Sequence, residues 1–267
     1  MLDNLVDIIF PRRCAVCDDV LGPGSKGICA SCRPRLSYVS EPRCMRCGKE
    51  IENSDEEYCG DCTKTKRSFE GGFPLFNYIP PLSDAITRLK YHGRQEYAGI
   101  YGREIAKAYG AQFKMLGVKC LVPVPLHKDR LKKRGYNQAA LIAKGISAET
   151  GIPVNEKLLI RDKKTAPQKE LSDVDREKNL SMAFAVGKIY SSNDAGNDHS
   201  ASWAYSRRIV RNTEDQVKSD SIIFPETVLL VDDIYTTGAT IEGCTKVLLA
   251  AGVKKVYYTS VAIGSVT

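Results

Sequence analysis

Residues 228–240 read Val-Leu-Leu-Val-Asp-Asp-Ile-Tyr-Thr-Thr-Gly-Ala-Thr. Four apolar residues, Val228 to Val231, lead into the adjacent carboxylates Asp232 and Asp233 and then into a Thr/Gly-rich turn. A helix-like run follows (Ile241, Cys244, Val247, Leu248) and closes at Gly252. A buried strand ahead of the turn holds it rigid. Asp232 and Asp233, at the C-terminal end of that strand, are placed to accept hydrogen bonds from two vicinal hydroxyls. The turn from Thr236 to Thr240 offers backbone N–H groups, three hydroxyls and a helix N-terminus, which together suit a phosphate. A ligand carrying a diol and a monophosphate a short way apart is a ribose 5-phosphate. An Asp-Asp pair after an apolar strand also serves elsewhere as a helix N-cap or a metal ligand pair, and Thr-Gly turns are common.

The whole string resembles the phosphoribosyl-pyrophosphate (PRPP) signature of type I phosphoribosyltransferases. The resemblance implies that Asp232 and Asp233 hold the ribose hydroxyls. It implies equally that Thr236, Thr237, Gly238, Ala239 and Thr240 hold the 5-phosphate.

Eight of the ten cysteines lie between residues 14 and 62, all in Cys-x-x-Cys pairs: Cys14/Cys17, Cys29/Cys32, Cys44/Cys47 and Cys59/Cys62. Each pair starts fifteen residues after the last, a two-fold repeat of a four-cysteine unit. Zinc held by four thiolates needs this spacing, two short knuckles brought together by a hairpin. A disulfide framework would require an oxidising compartment and hence an export signal. The N-terminal residues Leu2, Leu5, Val6, Ile9 and Phe10 read instead as a short amphipathic helix closed by Pro11. We therefore expect a cytoplasmic protein with two structural zinc ions. Sequential pairing puts Cys14, Cys17, Cys29 and Cys32 on one ion and Cys44, Cys47, Cys59 and Cys62 on the other. An interleaved cross-brace is the alternative; local hairpin closure favours the sequential arrangement. Cys120 and Cys244 sit among apolar residues and read as ordinary buried thiols.

The chain of 267 residues is 43% hydrophobic and 27% charged, in the range of globular proteins, and no apolar run approaches a membrane span. The net charge of +7 is segregated. Residues 1–62 carry net −3, residues 63–119 net +6 and residues 120–186 net +5. The positive field therefore lies beside the candidate phosphate site, where it favours polyanions such as PRPP or a nucleic-acid backbone.

Residues 63–72 mark a module boundary. Residues 73–79 read as a strand, broken by Pro80-Pro81. Ser83 and Asp84 can cap a helix carrying Ile86, Leu89 and Lys90, and a second helix covers 97–109. Cys120 to Val124 is a short strand. Of the seven residues from Lys128 to Arg134 after it, five are basic. They follow a strand end, the position of a ligand loop in open α/β sheets, and Lys128, Arg130, Lys133 and Arg134 are candidates for an anion. A third basic element after the strand at 158–160 carries Lys163, Lys164, Lys169 and Arg176 and suits a lid; a strand follows at 183–186. Residues 187–221 are weakly patterned and read as an insertion, with a surface helix from Tyr205 to Val217.

Tandem four-cysteine ribbons, Leu89-Lys-Tyr-His-Gly93, Pro123-Val-Pro125 with Arg134-Gly-Tyr-Asn-Gln138, and the Asp232-Asp233 loop occur in one order. With Leu171-Ser172, Arg176, Asn179 and Ala183-Phe184, the chain resembles the ComF family of bacterial phosphoribosyltransferase-like proteins. The resemblance implies an α/β fold. It would be a type I phosphoribosyltransferase core, a mostly parallel sheet flanked by helices, with a small hood and a small N-terminal zinc-ribbon domain. Residues 1–66 would form the double zinc ribbon and residues 73–267 the phosphoribosyltransferase-like domain. The implied ligand is PRPP with Mg²⁺, and the implied biology is natural competence and DNA uptake. Competence helicase-type machinery would be the partner of the ribbons.

On that reading, ribose 5-phosphate passes to an acceptor that no segment of the chain names, and pyrophosphate leaves. Mg²⁺ and cations including Arg134, Lys164 and Arg176 would stabilise it beside Asp232 and Asp233. The alternative is a non-catalytic adaptor that binds single-stranded DNA through the basic middle of the chain and keeps the PRPP site for sensing. A repressor with a PRPP effector site would need a winged-helix segment, which the sequence lacks.

Overall fold

The computed structural model describes residues 11–22, 24–161, 184–187 and 224–264. The N-terminal helix, Lys163, Lys164, Lys169 and Arg176 of the lid, and the insertion from residue 188 to 221 lie outside the described residues.

Four strands form one sheet: β1 (Gly71–Asn77), β2 (Cys120–Pro123), β5 (Thr227–Tyr235) and β6 (Lys255–Ile263), in the order β1-β6-β5-β2 with every pairing parallel. A parallel sheet is covered on both faces, so its strands are apolar runs rather than alternations. β5 is the clearest case. Leu229 and Val231 face one cluster with helices α3 (Glu96–Met115) and α5 (Gln138–Thr150), while Val228 and Leu230 face a second cluster with α6 (Ala239–Ala250). A separate antiparallel pair, β3 (Leu159–Arg161) and β4 (Phe184–Val186), packs beside α6 through Leu159 and Phe184.

The chain leaves the sheet in opposite directions at its centre. After β5 it runs through α6 to β6, on one side. After β2 it runs through α5 to Val154, which bridges Leu121 on the other side. The crevice beyond the carboxyl ends of β5 and β2 is therefore a topological switch point, where open α/β sheets bind ligands.

The ribbons are built into this frame. Cys14, Ala15, Val16 and Cys32 belong to the cluster under α3, and Cys44, Cys47 and Cys59 to the cluster under α6. The segment between the ribbons also covers the free edge of β1: Val39 donates to the Leu75 carbonyl at 3.1 Å and Asn77 to the Ser37 carbonyl at 2.8 Å. A short helix α1 (Gly60–Lys64) closes the second ribbon, and α2 (Leu82–Tyr91) follows β1.

Several elements differ from the sequence reading. Residues 128–134 are not an open loop but a helix, α4 (Lys128–Arg134). His127 caps it by accepting from the Asp129 N–H at 3.2 Å, and left-handed Gly135 ends it. The expected cap of α2 is also absent: the helix begins at Leu82 behind Pro81, with no side-chain cap. The helix expected over 97–109 extends to Met115, because Tyr109 and Phe113 continue its buried stripe.

Candidate functional site

The eight ribbon cysteines form two thiol clusters, Cys14/Cys17/Cys29/Cys32 and Cys44/Cys47/Cys59/Cys62, with the sulfurs of each within 4.8 Å of one another. The grouping is sequential. Four thiolates around one zinc stand about 3.8 Å apart, given Zn–S bonds of about 2.3 Å in a tetrahedron. Cys17 and Cys29 are 3.9 Å apart and Cys47 and Cys59 3.6 Å. Backbone N–H groups also point at the sulfurs, Val16 and Cys29 at Cys14 Sγ and Cys47 at Cys44 Sγ. All are free thiols, and the donor set fits two structural zinc ions.

The repeat is visible in the knuckles. Asp18 and Gly48 occupy the same place after Cys17 and Cys47, and both are left-handed, with φ of 68° and 70°. Gly48 is required there, since a Cβ would stand 2.5 Å from the Gly72 carbonyl oxygen. Asp18 instead bonds the core: its carboxylate takes Arg94 at 2.9 Å and the Tyr97 hydroxyl.

At the switch point, Asp232 and Asp233 have different surroundings because successive residues of β5 face opposite sides of the sheet. Asp232 is half-buried, with one oxygen accepting from the Asp233 N–H at 2.8 Å. Burial, reinforced by the charge of Asp233, pushes its carboxyl up from 3.8 to about 7. Asp233 is 5% exposed. Its two oxygens are taken by Lys90 Nζ at 2.9 Å and Gln138 Nε2 at 2.5 Å. Asp233 faces α5 and α2, whose side chains take both of its oxygens.

Beside this pair lies a cleft of about 370 Å³ lined by Lys90, Tyr91, Arg130, Lys133, Arg134 and Tyr136, with no carboxylate among the lining residues. Arg130, Lys133 and Arg134 share one face of α4 because they stand three and four residues apart. Arg134 lies over the Tyr91 ring, 5.2 Å from its centroid, and its Nη1 is buried with no hydrogen-bond partner among the described residues. Tyr136 donates its hydroxyl to the Leu89 carbonyl, joining the loop after α4 to the end of α2. Arg161 lies over Phe184 in the β3–β4 pair; burial, and then the charge of Arg130, lower its pKa from the ordinary value.

Thr236 and Thr237 are exposed; Gly238, with φ 78°, turns the chain into α6 at Ala239, and Thr240 is half-buried in its first turn. Lys128 belongs to α4 but is not among the residues lining the cleft. Lys164 and Arg176 fall outside the described residues. The sequence assigns no ligand contact to Lys90, Tyr91, Gln138 or Arg161. Lys90 and Tyr91 stand in a basic cluster, Arg161 opens the basic stretch read as a lid, and Lys90, Tyr91 and Gln138 fall in segments that carry the family resemblance.

These features define an α/β protein with a mostly parallel sheet flanked by helices and an N-terminal double zinc ribbon. The double zinc ribbon domain family matches residues 5–63. Over 250 residues the chain is 30% identical to Competence protein F of Haemophilus influenzae, covering 92% of this chain and 95% of that protein. It is 26% identical to the DNA utilization protein YhgH of Escherichia coli, covering 92% and 94%. It is 23% identical to Competence protein ComFC of Bacillus subtilis, covering 87% and 82%. The chain belongs to the ComF family of competence proteins.

Proposed function

We propose that this protein binds PRPP with Mg²⁺ at the switch-point crevice, transfers ribose 5-phosphate to a nitrogen acceptor and releases pyrophosphate, in support of competence and DNA uptake. One observation carries the reading: at the end of β5, Asp233 pairs with Lys90, which lines a cation cleft with no carboxylate among its lining residues, where Arg134 Nη1 is buried with no hydrogen-bond partner among the described residues. Buried polar groups seldom stay unpaired, so such a donor fits an anionic ligand.

Asp232 and Asp233 take the ribose hydroxyls, and residues 236–240 take the 5-phosphate at the N-terminus of α6. Lys90 leaves Asp233 for the pyrophosphate, joining Arg130, Lys133 and Arg134. Asp232 and Asp233 would stand beside a Mg²⁺ brought in with the ligand, which would supply charge neutralisation. The bond from ribose C1 to the pyrophosphate oxygen breaks with its electron pair, and a nitrogen lone pair forms the new C1–N bond. The cations lower the barrier by stabilising the leaving group. Lys164 and Arg176 would add to them from the lid. The test is incubation with PRPP, Mg²⁺ and a panel of bases. Pyrophosphate release that depends on a base supports transfer; binding without release does not.

Tyr91 supports a second reading, a DNA-binding adaptor that keeps the PRPP site for sensing. The residue is 69% exposed in the midst of the cation cluster, the combination of aromatic surface and phosphate-binding charge that single-stranded nucleic acid uses. Affinity for single-stranded DNA should then fall steeply with salt.

A further inference from the structure

We propose that the second four-cysteine centre holds the phosphate loop in shape, with Tyr258 and Arg67 as positioning residues. The inference rests on the reading of residues 236–240 as the 5-phosphate loop.

Two independent routes run from that centre to the loop. The first is aromatic. The Tyr258 hydroxyl donates to the carbonyl of Cys47 at 2.6 Å, in the interior. The Tyr258 ring stacks on Tyr235, with centroids 4.7 Å apart and planes within 13°. Phe69 meets both rings edge-on, at 5.2 and 6.4 Å. The Tyr235 hydroxyl in turn fills the space under Gly238, where any Cβ would overlap it. Gly238 is left-handed, a conformation that residues with a Cβ adopt reluctantly. The ring therefore sits as a template beneath the turn of the loop.

The second route is the chain itself. Cys59 and Cys62 bracket the start of α1, and the peptide leaving it reaches the loop directly. Arg67 Nη2 donates to the Thr237 carbonyl at 2.7 Å. Ser68 donates its N–H and its hydroxyl to the two oxygens of Glu242, at 2.8 and 2.7 Å. Glu242 is wholly buried in the first turn of α6, directly behind the loop. The loop is thus held beneath Gly238, at the carbonyl of Thr237 and through its following helix, each time from the second ribbon or its exit.

The first centre provides the contrast. Its bonds to the core among the described residues, from Arg88 to the Val16 carbonyl, Tyr101 to the Ala15 carbonyl, and Arg94 and Tyr97 to Asp18, come from α2, α3 and the turn between them. The second centre is the one poised to preorganise a phosphate site. A rigid loop binds more tightly because less order has to be imposed on binding.

The test uses the full-length, zinc-loaded protein. Tyr258→Phe keeps the ring stack and deletes only the hydroxyl. Arg67→Ala deletes the donor to Thr237, and Arg67→Lys restores one. Hydrogen exchange at the amides of 237–240 should be about tenfold faster in Tyr258→Phe and Arg67→Ala, equivalent to about 1.4 kcal/mol, and near wild type in Arg67→Lys. Ribose 5-phosphate affinity should fall by about the same factor, while inorganic pyrophosphate affinity and a zinc content of two per chain stay unchanged. Unchanged exchange in both deletion variants overturns the inference, as does an equal loss of affinity for both probes. Should the wild type bind no ribose 5-phosphate while exchange responds as stated, the phosphate reading fails and the positioning role stands.

Discussion

Half-buried Lys90 and buried Asp233 form an ion pair, Nζ to Oδ1 at 2.9 Å, with Gln138 donating to the other carboxylate oxygen. The pair joins α2 to the end of β5 and places a cation between the carboxylates and the basic cleft. In the unliganded protein Lys90 neutralises Asp233; with pyrophosphate in the cleft it has a second anion within its reach. Removing Lys90 would leave Asp233 buried beside Gln138 alone. Lys90→Met should therefore cost about 3 kcal/mol of folding stability, measured by urea unfolding at neutral pH. Inorganic pyrophosphate should bind about tenfold more weakly by calorimetry. Unaltered stability would mean that the pair contributes nothing.

The raised carboxyl of Asp232 predicts a pH dependence with two parts. Ribose hydroxyls donate to the ionised form, so ribose 5-phosphate binding should strengthen as pH rises through about 7. Asp232→Asn should lose that component and keep only the titration of the ligand's own phosphate. Folding responds in the opposite direction. The folded protein binds this proton more tightly than the unfolded chain, so the protonated group's contribution is full below 3.8 and is lost as pH rises towards about 7. Asp232→Asn should gain stability relative to wild type across that window and hold the gain above it, read from unfolding midpoints. A constant difference across the window would count against the assignment.

Glu104 ties the first ribbon to α3. Arg33 Nη1 meets its carboxylate at 2.9 Å and Lys107 at 3.1 Å. Burial alone would push this carboxyl up, but the Arg33 and Lys107 bonds outweigh it and hold it below its ordinary 4.5. A lowered folded value means stability that is present above the ordinary value and lost as pH falls through the folded one. Arg33 is partly exposed, which screens the pair, so Glu104→Gln should cost about 1 kcal/mol at neutral pH. The gap from wild type should close on acidification below about pH 4. A gap that persists in acid would mean lost packing rather than a lost charge pair.

Zinc removal should not leave an intact α/β core. Cys14, Ala15, Val16 and Cys32 are buried with Tyr97, Tyr101 and Ile105 of α3, and Cys44 and Cys47 with Val228 and Leu230 of β5. Structural zinc contributes on the order of 10 kcal/mol per site to folding. Chelation should release two zinc ions per chain and lower the melting temperature of the whole protein in one transition. A surviving second transition at the original temperature would show that the ribbons fold apart from the sheet.

The elements that could be read from sequence were those whose signal is local. Val228–Val231 announces a strand buried on both sides, and the four Cys-x-x-Cys pairs announce their own chemistry. The position of the acids at the end of β5 followed from the same run. What escaped was set by tertiary packing. Residues 128–134 form a helix because His127 and Gly135 cap a sequence whose charge pattern fits a ligand loop or a basic helix face. Lys90 and Gln138 reach Asp233 only after β5, α2 and α5 come together, and no spacing along the chain encodes that meeting. The sharing of one core by ribbons and sheet is equally non-local, resting on contacts such as Tyr101 with the Ala15 carbonyl.

The most direct test of the central claim is calorimetric titration of Mg²⁺ and PRPP into the zinc-loaded wild type and into Asp232→Asn/Asp233→Asn. Saturable one-site binding in the wild type and its loss in the double variant, with the fold retained by circular dichroism, is the predicted result. Equal affinity in the two proteins would contradict the account.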